Sequence, residues 1–356
     1  MKVALRSVLV HSLSLTCFLA FLPARADAWG KDGHRIVARI AARHLSPKTR
    51  TAITNLIKAD ENDVGNCRSL PKFEDQMACI STFADEVRNK DKFPQFASNT
   101  PLHFVDIPIY AAKAQRHYDA KLYCKEGCVV SGIRDYTQVL RTSTDEAKRA
   151  VALKFIVHFI GDFHQPLHTA MDRDADFKNA ENKAAGHVKL KGDGSSDLGG
   201  NMKFVTWFGD STSPFGCAKL HSVWDDGMIE KRGLTDVAYT DLLDNLSAAK
   251  VAGIQAGSIV NWVNEALGVA ISNAYGKLPA RNQAKKVCEV TKVQNGQKKT
   301  ECATFTPQAC QASEVHYQYE LADSYDQENL PAVESQLQRA GLRLARYLNN
   351  IFDPPS

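Results

Sequence analysis

VHFIGDFHQPLH, residues 157–168, lies near the middle of the 356-residue chain and holds His158, Asp162, His164 and His168. The run before it, DEAKRAVALKFIVHFIGD, sets Ala152, Leu153, Ile156 and Ile160 at helical spacing and predicts one buried face. His158 and Asp162 are four apart, so on a helix they point the same way, one turn from each other. Gln165-Pro166 then ends the helix, because proline lacks an N–H and restricts the residue before it. His168 arrives just past that break. Imidazoles and a carboxylate on a mostly apolar helix need partners, and a metal ion is an economical one. A hydrogen-bonded His–Asp core pair and a solvated surface are the other readings of this stretch taken alone.

The pairing recurs. LHSVWDDGMIEK, residues 220–231, has His221 and Asp225 four apart at the start of a predicted helix. Two His-x-x-x-Asp pairs plus His168 favour a shared metal site, since imidazole and carboxylate together suit zinc. Other donors are scattered. STFADEVRNKDK places Asp85 and Arg88 on a short helix, as a ligand and an anion contact or as a plain i,i+3 ion pair. LHFVDIPIY, residues 102–110, alternates like an extended segment, with His103 and Val105 on one side and Phe104 and Asp106 on the other. It lines a pocket or is an ordinary half-buried strand. Trp29 and His34 precede and open a helical stretch over 29–58. A free α-amino group at Trp29 would join the His34 imidazole as a nitrogen donor; a packed terminal aromatic is the alternative.

Residues 1–28 carry Lys2 and Arg6, an apolar run from about Ser12 to Leu22 and the ending Ala26-Asp27-Ala28. This pattern predicts a secretory signal peptide cleaved after Ala28, with a catalytic or binding domain over 29–356. No run reaches the roughly 20 apolar residues of a membrane span, so no membrane anchor is expected. Eight cysteines follow the leader, an even number that in an exported protein suggests up to four disulfides. The pairs 67–79 and 124–128 are local closures, and the pairing of Cys217, Cys288, Cys302 and Cys310 is open. Formal charge is +4; removing Lys2, Arg6, Arg25 and Asp27 with the leader leaves 41 basic and 39 acidic residues, or +2. That balance argues against coating nucleic acid by bulk charge, without excluding a nucleic-acid substrate.

Long helices dominate the rest. HVKLKGDGSSDLGGNMKFVTWFG, residues 187–209, alternates like a hairpin with Gly192–Gly200 as its turn region. Its DLGGN cluster ends in Asn201, which offers both a donor and an acceptor. Residues 232–275 and 325–351 read as helical, with Leu330-Pro331 as a helix entry, and Asn295-Gly296 marks a hairpin tip. Without repeats or linkers, the expected fold is mainly α: one multi-helix domain with a small β-hairpin region.

Taken in order, WGxxGH, ADxxR, LHFVD, HFIGDxHQPLH, DxGGN and LHxxWD resemble the S1/P1 family of zinc-dependent nucleases, related in fold to bacterial zinc phospholipase C, and the resemblance runs from Trp29 to about Phe352. It implies three zinc ions. Asp85, His103, His158 and Asp162 would hold one buried ion. Trp29, His34 and the bridging Asp162 would hold a second, and His168, His221 and Asp225 a more exposed third. It implies that Arg88 and Asn201 act with Asp162 in catalysis and contact the phosphoryl group, and that Phe104 and Asp106 take the nucleobase. His164 has no role in that pattern and is expected in a supporting layer or on the surface. The implied activity is hydrolysis of P–O3′ bonds in single-stranded DNA and RNA to 5′-phosphorylated nucleotides, with 3′-nucleotidase activity, by a secreted or periplasmic monomer. A phospholipase C and a non-catalytic, zinc-stabilised binding module are the alternatives. The 111–131, 169–196 and 277–315 segments are long for this family and put strand and base preference in question.

Overall fold

The computed structural model describes residues 29–174, 189–190, 194–207, 212–213, 216–294, 297–306, 308 and 316–355. The proposed leader, Gly192, Asn295, Gly296, Cys310 and most of the 169–196 stretch lie outside the described residues.

The helix Glu146–Asp162 is the axis of the molecule. Asp145 caps it, its side chain accepting the Lys148 N–H at 3.1 Å, which satisfies one of the four free N–H groups of the first turn. From Ala152 to Asp162 every residue is buried. No single polar stripe is left, which explains why the end of this helix reads as almost uniformly apolar. Helices Lys31–Arg43, Pro47–Lys58, Val129–Thr142 and Ser324–Phe352 pack around it. Phe155 anchors the packing, stacking on Tyr136 at 4.5 Å and meeting Phe83 edge-on at 5.5 Å. Such pairs add about 1 kcal/mol beyond the area they bury. The second half continues as helices Asp236–Leu243, Ala248–Gln255 and Ile259–Val269, the last running into a π-helical turn over Ala270–Ala274.

The strands form small sheets beside the helices. Lys285–Gln294 and Gln297–Thr304 pair antiparallel as the expected hairpin. His316–Glu320 adds antiparallel to the first of these and parallel to Phe204–Thr206. Disulfides join Cys67 to Cys79 and Cys124 to Cys128, as the spacing suggests. A third, Cys217–Cys302, ties the hairpin to the segment leading into His221, and Cys288 is disulfide-bonded as well.

Three expectations need correction. Pro331 does not open the last helix; it lies inside Ser324–Phe352. Its missing N–H frees the carbonyl of Gln327, an exposed residue where solvent can bond it. Residues 187–209 are not one hairpin. Gly194–Ser196 pairs with Lys189–Leu190 and with Arg173–Asp174, while Phe204–Thr206 joins the other sheet. The extended reading of 102–110 fails at its start, because His103 closes a 3-10 helix over Pro94–His103. Beyond it the alternation holds: Val105 and Ile107 are buried, Phe104 and Asp106 half-buried.

Candidate metal centre

Three groups of His and Asp side chains bring their ligand atoms together: His34, His158 and Asp162; Asp85, His103 and His158; and His168, His221 and Asp225. The central helix supplies the hub. His158 and Asp162 sit one turn apart, with His158 Nε2 3.2 Å from Asp162 Oδ1. His34, from the first helix, stacks on His158 at 3.8 Å and approaches the same Asp162 oxygen at 3.4 Å. The close approach depends on Gly161, where a Cβ would lie 2.9 Å from His34 Nδ1. On the other side, His103 Nδ1 is 3.0 Å from Asp162 Oδ2, and Asp85 lies 3.6 Å from both His103 and His158. The two Asp162 oxygens therefore face different groups.

The third group follows the helix break. Gln165 caps the turn Pro166–His168, its Oε1 accepting the Leu167 N–H at 2.6 Å. Its Nε2 donates to Asp225 Oδ1 at 2.5 Å. His168 Nε2 and His221 Nε2 face each other at 3.2 Å, and Asp225 Oδ2 is 3.3 Å from His221.

Backbone carbonyls fix the ring tautomers. Nδ1 of His158 donates to Ser81 O at 2.7 Å, Nδ1 of His168 to His103 O at 2.9 Å, and Nδ1 of His221 to Gly199 O at 2.6 Å. A carbonyl only accepts, so each Nδ1 carries the proton and Nε2 of each neutral ring keeps its lone pair. Two ring-nitrogen lone pairs facing each other 3.2 Å apart in a buried site repel unless a cation lies between them. His34 Nδ1 and Nε2, His103 Nε2 and both Asp162 oxygens are buried without a hydrogen-bond partner. Such atoms cost several kcal/mol, of order 2–7 each, when nothing compensates them. Imidazole nitrogen and carboxylate oxygen are zinc donors, so all three groups fit zinc.

Charge agrees with that fit. Burial works against the ionised form of Asp162, but His158 and His103 outweigh it and hold the carboxyl well below its usual range. Burial also opposes a charge on His158; Asp162 and Asp85 outweigh it and favour positive charge at its Nε2, which a metal ion would supply in place of a proton. Burial keeps His34 and His168 below the ordinary imidazole range, hence neutral and able to ligate.

The remaining candidates fall around the hub. Arg88 Nη1 donates to Asp85 Oδ1 at 3.3 Å, an i,i+3 ion pair beside the second group. Asn201 is buried and donates to Leu198 O at 2.9 Å. Burial pushes the Asp106 carboxyl up to about 6. Trp29 is fully buried, its indole Nε1 unpartnered. His164 is neither at the surface nor among the clustered ligands: its Nδ1 donates to Ile160 O at 2.7 Å, and Nε2 accepts from Arg343 Nη1 at 3.2 Å. Sequence reasoning took Gln165 only as part of a helix break and missed its hold on Asp225. Its place between two ligating segments was the available signal. The carbonyls of Ser81, His103 and Gly199 had none, since any residue provides one.

Three metal-binding groups joined on one mainly helical scaffold define a multinuclear zinc hydrolase. The profile described as S1/P1 Nuclease matches residues 29–353. The chain belongs to the S1/P1 nuclease family. It is similar to Endonuclease 3 of Arabidopsis thaliana, 26% identical over 342 residues that cover 92% of this chain and 90% of that protein. Similarity to Nuclease P1 of Penicillium citrinum is 26% over 327 residues, 91% and 97% of the two chains. Nuclease S1 of Aspergillus oryzae is 29% identical over 206 residues, covering 57% and 55%.

Proposed function

We propose that residues 29–356, released from the leader, form an exported monomeric nuclease that hydrolyses P–O3′ bonds of single-stranded DNA and RNA to 5′-phosphorylated nucleotides and removes terminal 3′-phosphates. The observation that carries this reading is the meeting of three largely buried His/Asp groups around Asp162 and the 165–168 turn. Among the described residues no helix is long and apolar enough to cross a membrane.

Asp85, His103, His158 and Asp162 are assigned to one ion, Trp29, His34 and Asp162 to a second, and His168, His221 and Asp225 to the third. Zinc held in these places would supply Lewis acidity and would lower the pKa of water enough for it to lose a proton near neutral pH. Asp162 orients both buried sites through its two oxygens. Arg88, held by Asp85, presents guanidinium N–H groups to a phosphoryl oxygen, and the Asn201 amide donates to another. Phe104 stacks on an unpaired base, which favours single strands over duplex, and Asp106 bonds its edge.

Product analysis of a digested single-stranded oligonucleotide tests the reading. Phosphate is expected on the 5′ side, and 3′-phosphate products would overturn it. Turnover of phosphatidylcholine with inert nucleic acid would instead identify a phospholipase. Finding about one non-exchangeable zinc per chain, rather than three, would favour the binding module. Asp162→Asn is expected to cost at least about a thousandfold in kcat with loss of buried zinc, a severity typical of groups that act as a unit; retained rate and metal content would remove its bridging role.

A further inference from the structure

A cavity of about 320 Å³ is lined by Ile109, Arg116, Asp172, Lys203, Tyr275 and Tyr319 among others. Three of these residues follow site residues closely in the chain. Ile109 is three past Asp106, Asp172 four past His168, and Lys203 two past Asn201. Ile107–Pro108 and Ala170–Met171 run parallel there, and Ile109 N–H bonds Met171 O at 2.9 Å. At strand spacing, three residues move the chain roughly 10 Å from Asp106. The two places also share a field: burial and Asp197 hold the Tyr275 phenol well above its ordinary value, and Asp106 adds to the effect.

The cavity's chemistry is cationic. Arg116 is half-buried and spends its Nε–H on Ala111 O at 2.8 Å. Among the described residues no carboxylate pairs with it, so its terminal N–H groups remain for a ligand. Lys203 Nζ sits 3.0 Å from Asp172 Oδ2 and 3.9 Å from Asp197 Oδ2. An ammonium has three donors, and these contacts engage at most two. Asp197 is fully buried and bonded by Tyr275 Oη at 3.0 Å, which keeps it behind the wall. Two cations against the one half-exposed carboxylate of Asp172 leave a net positive lining suited to a phosphodiester anion. A guanidinium matches phosphate oxygens in a two-point fork.

We propose that this cavity is a phosphate subsite, in which Arg116, supported by Lys203, binds the backbone phosphate of the nucleotide next to the one at Phe104 and Asp106. The subsite rests on the nuclease reading and makes chain length a determinant of affinity. A substrate with only one nucleotide does not reach it.

The test compares the zinc-loaded enzyme on adenosine 3′-phosphate and on a single-stranded ten-nucleotide DNA. With Arg116→Gln, KM for the oligonucleotide is expected to rise about tenfold, the scale of one charge-assisted hydrogen bond. Its kcat and both mononucleotide constants should stay within about twofold. The slope of log KM against log salt should fall by about 0.7, the value for one phosphate contact on a single strand. Arg116→Lys, which keeps the charge, should restore the salt slope and part of KM. An unchanged oligonucleotide KM overturns the subsite, and so does equal damage to both substrates, which marks a structural role. A wild type inert toward both substrates removes the nuclease reading, and the subsite with it.

Discussion

Gln165 shows how one side chain serves two elements. Its side-chain oxygen caps the start of the turn that carries His168, and its amide N–H holds Asp225. Hydrogen-bonded supports of this kind typically tune metal affinity by about 10–100-fold. Gln165→Leu is therefore expected to weaken only the His168, His221 and Asp225 site by about that factor, read by zinc titration against a competing chelator; equal weakening of all sites would mean general damage. Asp197 carries a pH effect away from the metal ligands. Burial raises its carboxyl from 3.8 to about 7, although Lys203 and Tyr275 oppose the rise. The folded state thus holds a proton that the unfolded state releases. That contribution is full below about pH 4 and is lost as pH rises toward 7, up to about 4 kcal/mol at 1.36 kcal/mol per unit. Urea midpoints of Asp197→Asn should fall less than those of the wild type between pH 4.5 and 7; parallel curves would show that Asp197 does not titrate there. The two His-x-x-x-Asp pairs were legible as residue types at helical spacing, whereas the scattered donors Asp85 and His103 were not. Asp197 was visible only as a letter of DLGGN, because its partner Tyr275 is 78 residues away.

The segment Asp197–Asn201 works as an element although it is neither helix nor strand. Leu198, Gly199 and Gly200 all have positive φ, at 54°, 62° and 82°. At Gly199 a Cβ would lie 2.5 Å from Leu167 O, and the carbonyl of Gly199 accepts the His221 Nδ1 proton. Gly199→Ala should cost about 1–2 kcal/mol in stability from its left-handed backbone. The displaced carbonyl should also weaken zinc at the third site, so metal analysis would show close to two ions; three retained ions would show that the loop adapts. The helices were readable because periodicity is local, as with Ala152, Leu153, Ile156 and Ile160 of the central helix. The small strands were not. Two- and three-residue strands carry too little alternation to tell whether Phe204–Thr206 turns back on Gly194–Ser196 or joins His316–Glu320, a choice made by long-range packing. Pro331 misled for a related reason: proline marks a helix start only when no earlier residues complete the turn.

At the scale of the whole molecule, candidate ligands from residue 34 to residue 225 meet in adjoining groups, and the fold holds their donor atoms close together. The order of motifs along the chain carried that assembly into the sequence reading, since no single pair could. The Cys217–Cys302 link stayed open until the hairpin and the segment before His221 were seen side by side. Such an arrangement makes bound metal part of folding stability. His34 and Asp162 atoms buried without partners, and the facing nitrogens of His168 and His221, favour the fold only with cations among them. A ligand at a thousand times its dissociation constant adds about 4 kcal/mol per site when it binds only the folded state. In a chain of this size that is on the order of 10 °C in Tm. Dialysis against a strong chelator should lower Tm by at least that amount and abolish activity, and zinc should restore both. The His168→Ala variant should show a smaller drop on chelation than the wild type, because one of its sites is already lost. If chelation left Tm unchanged in both proteins, the buried groups would be stable without metal, and the zinc assignment would fall.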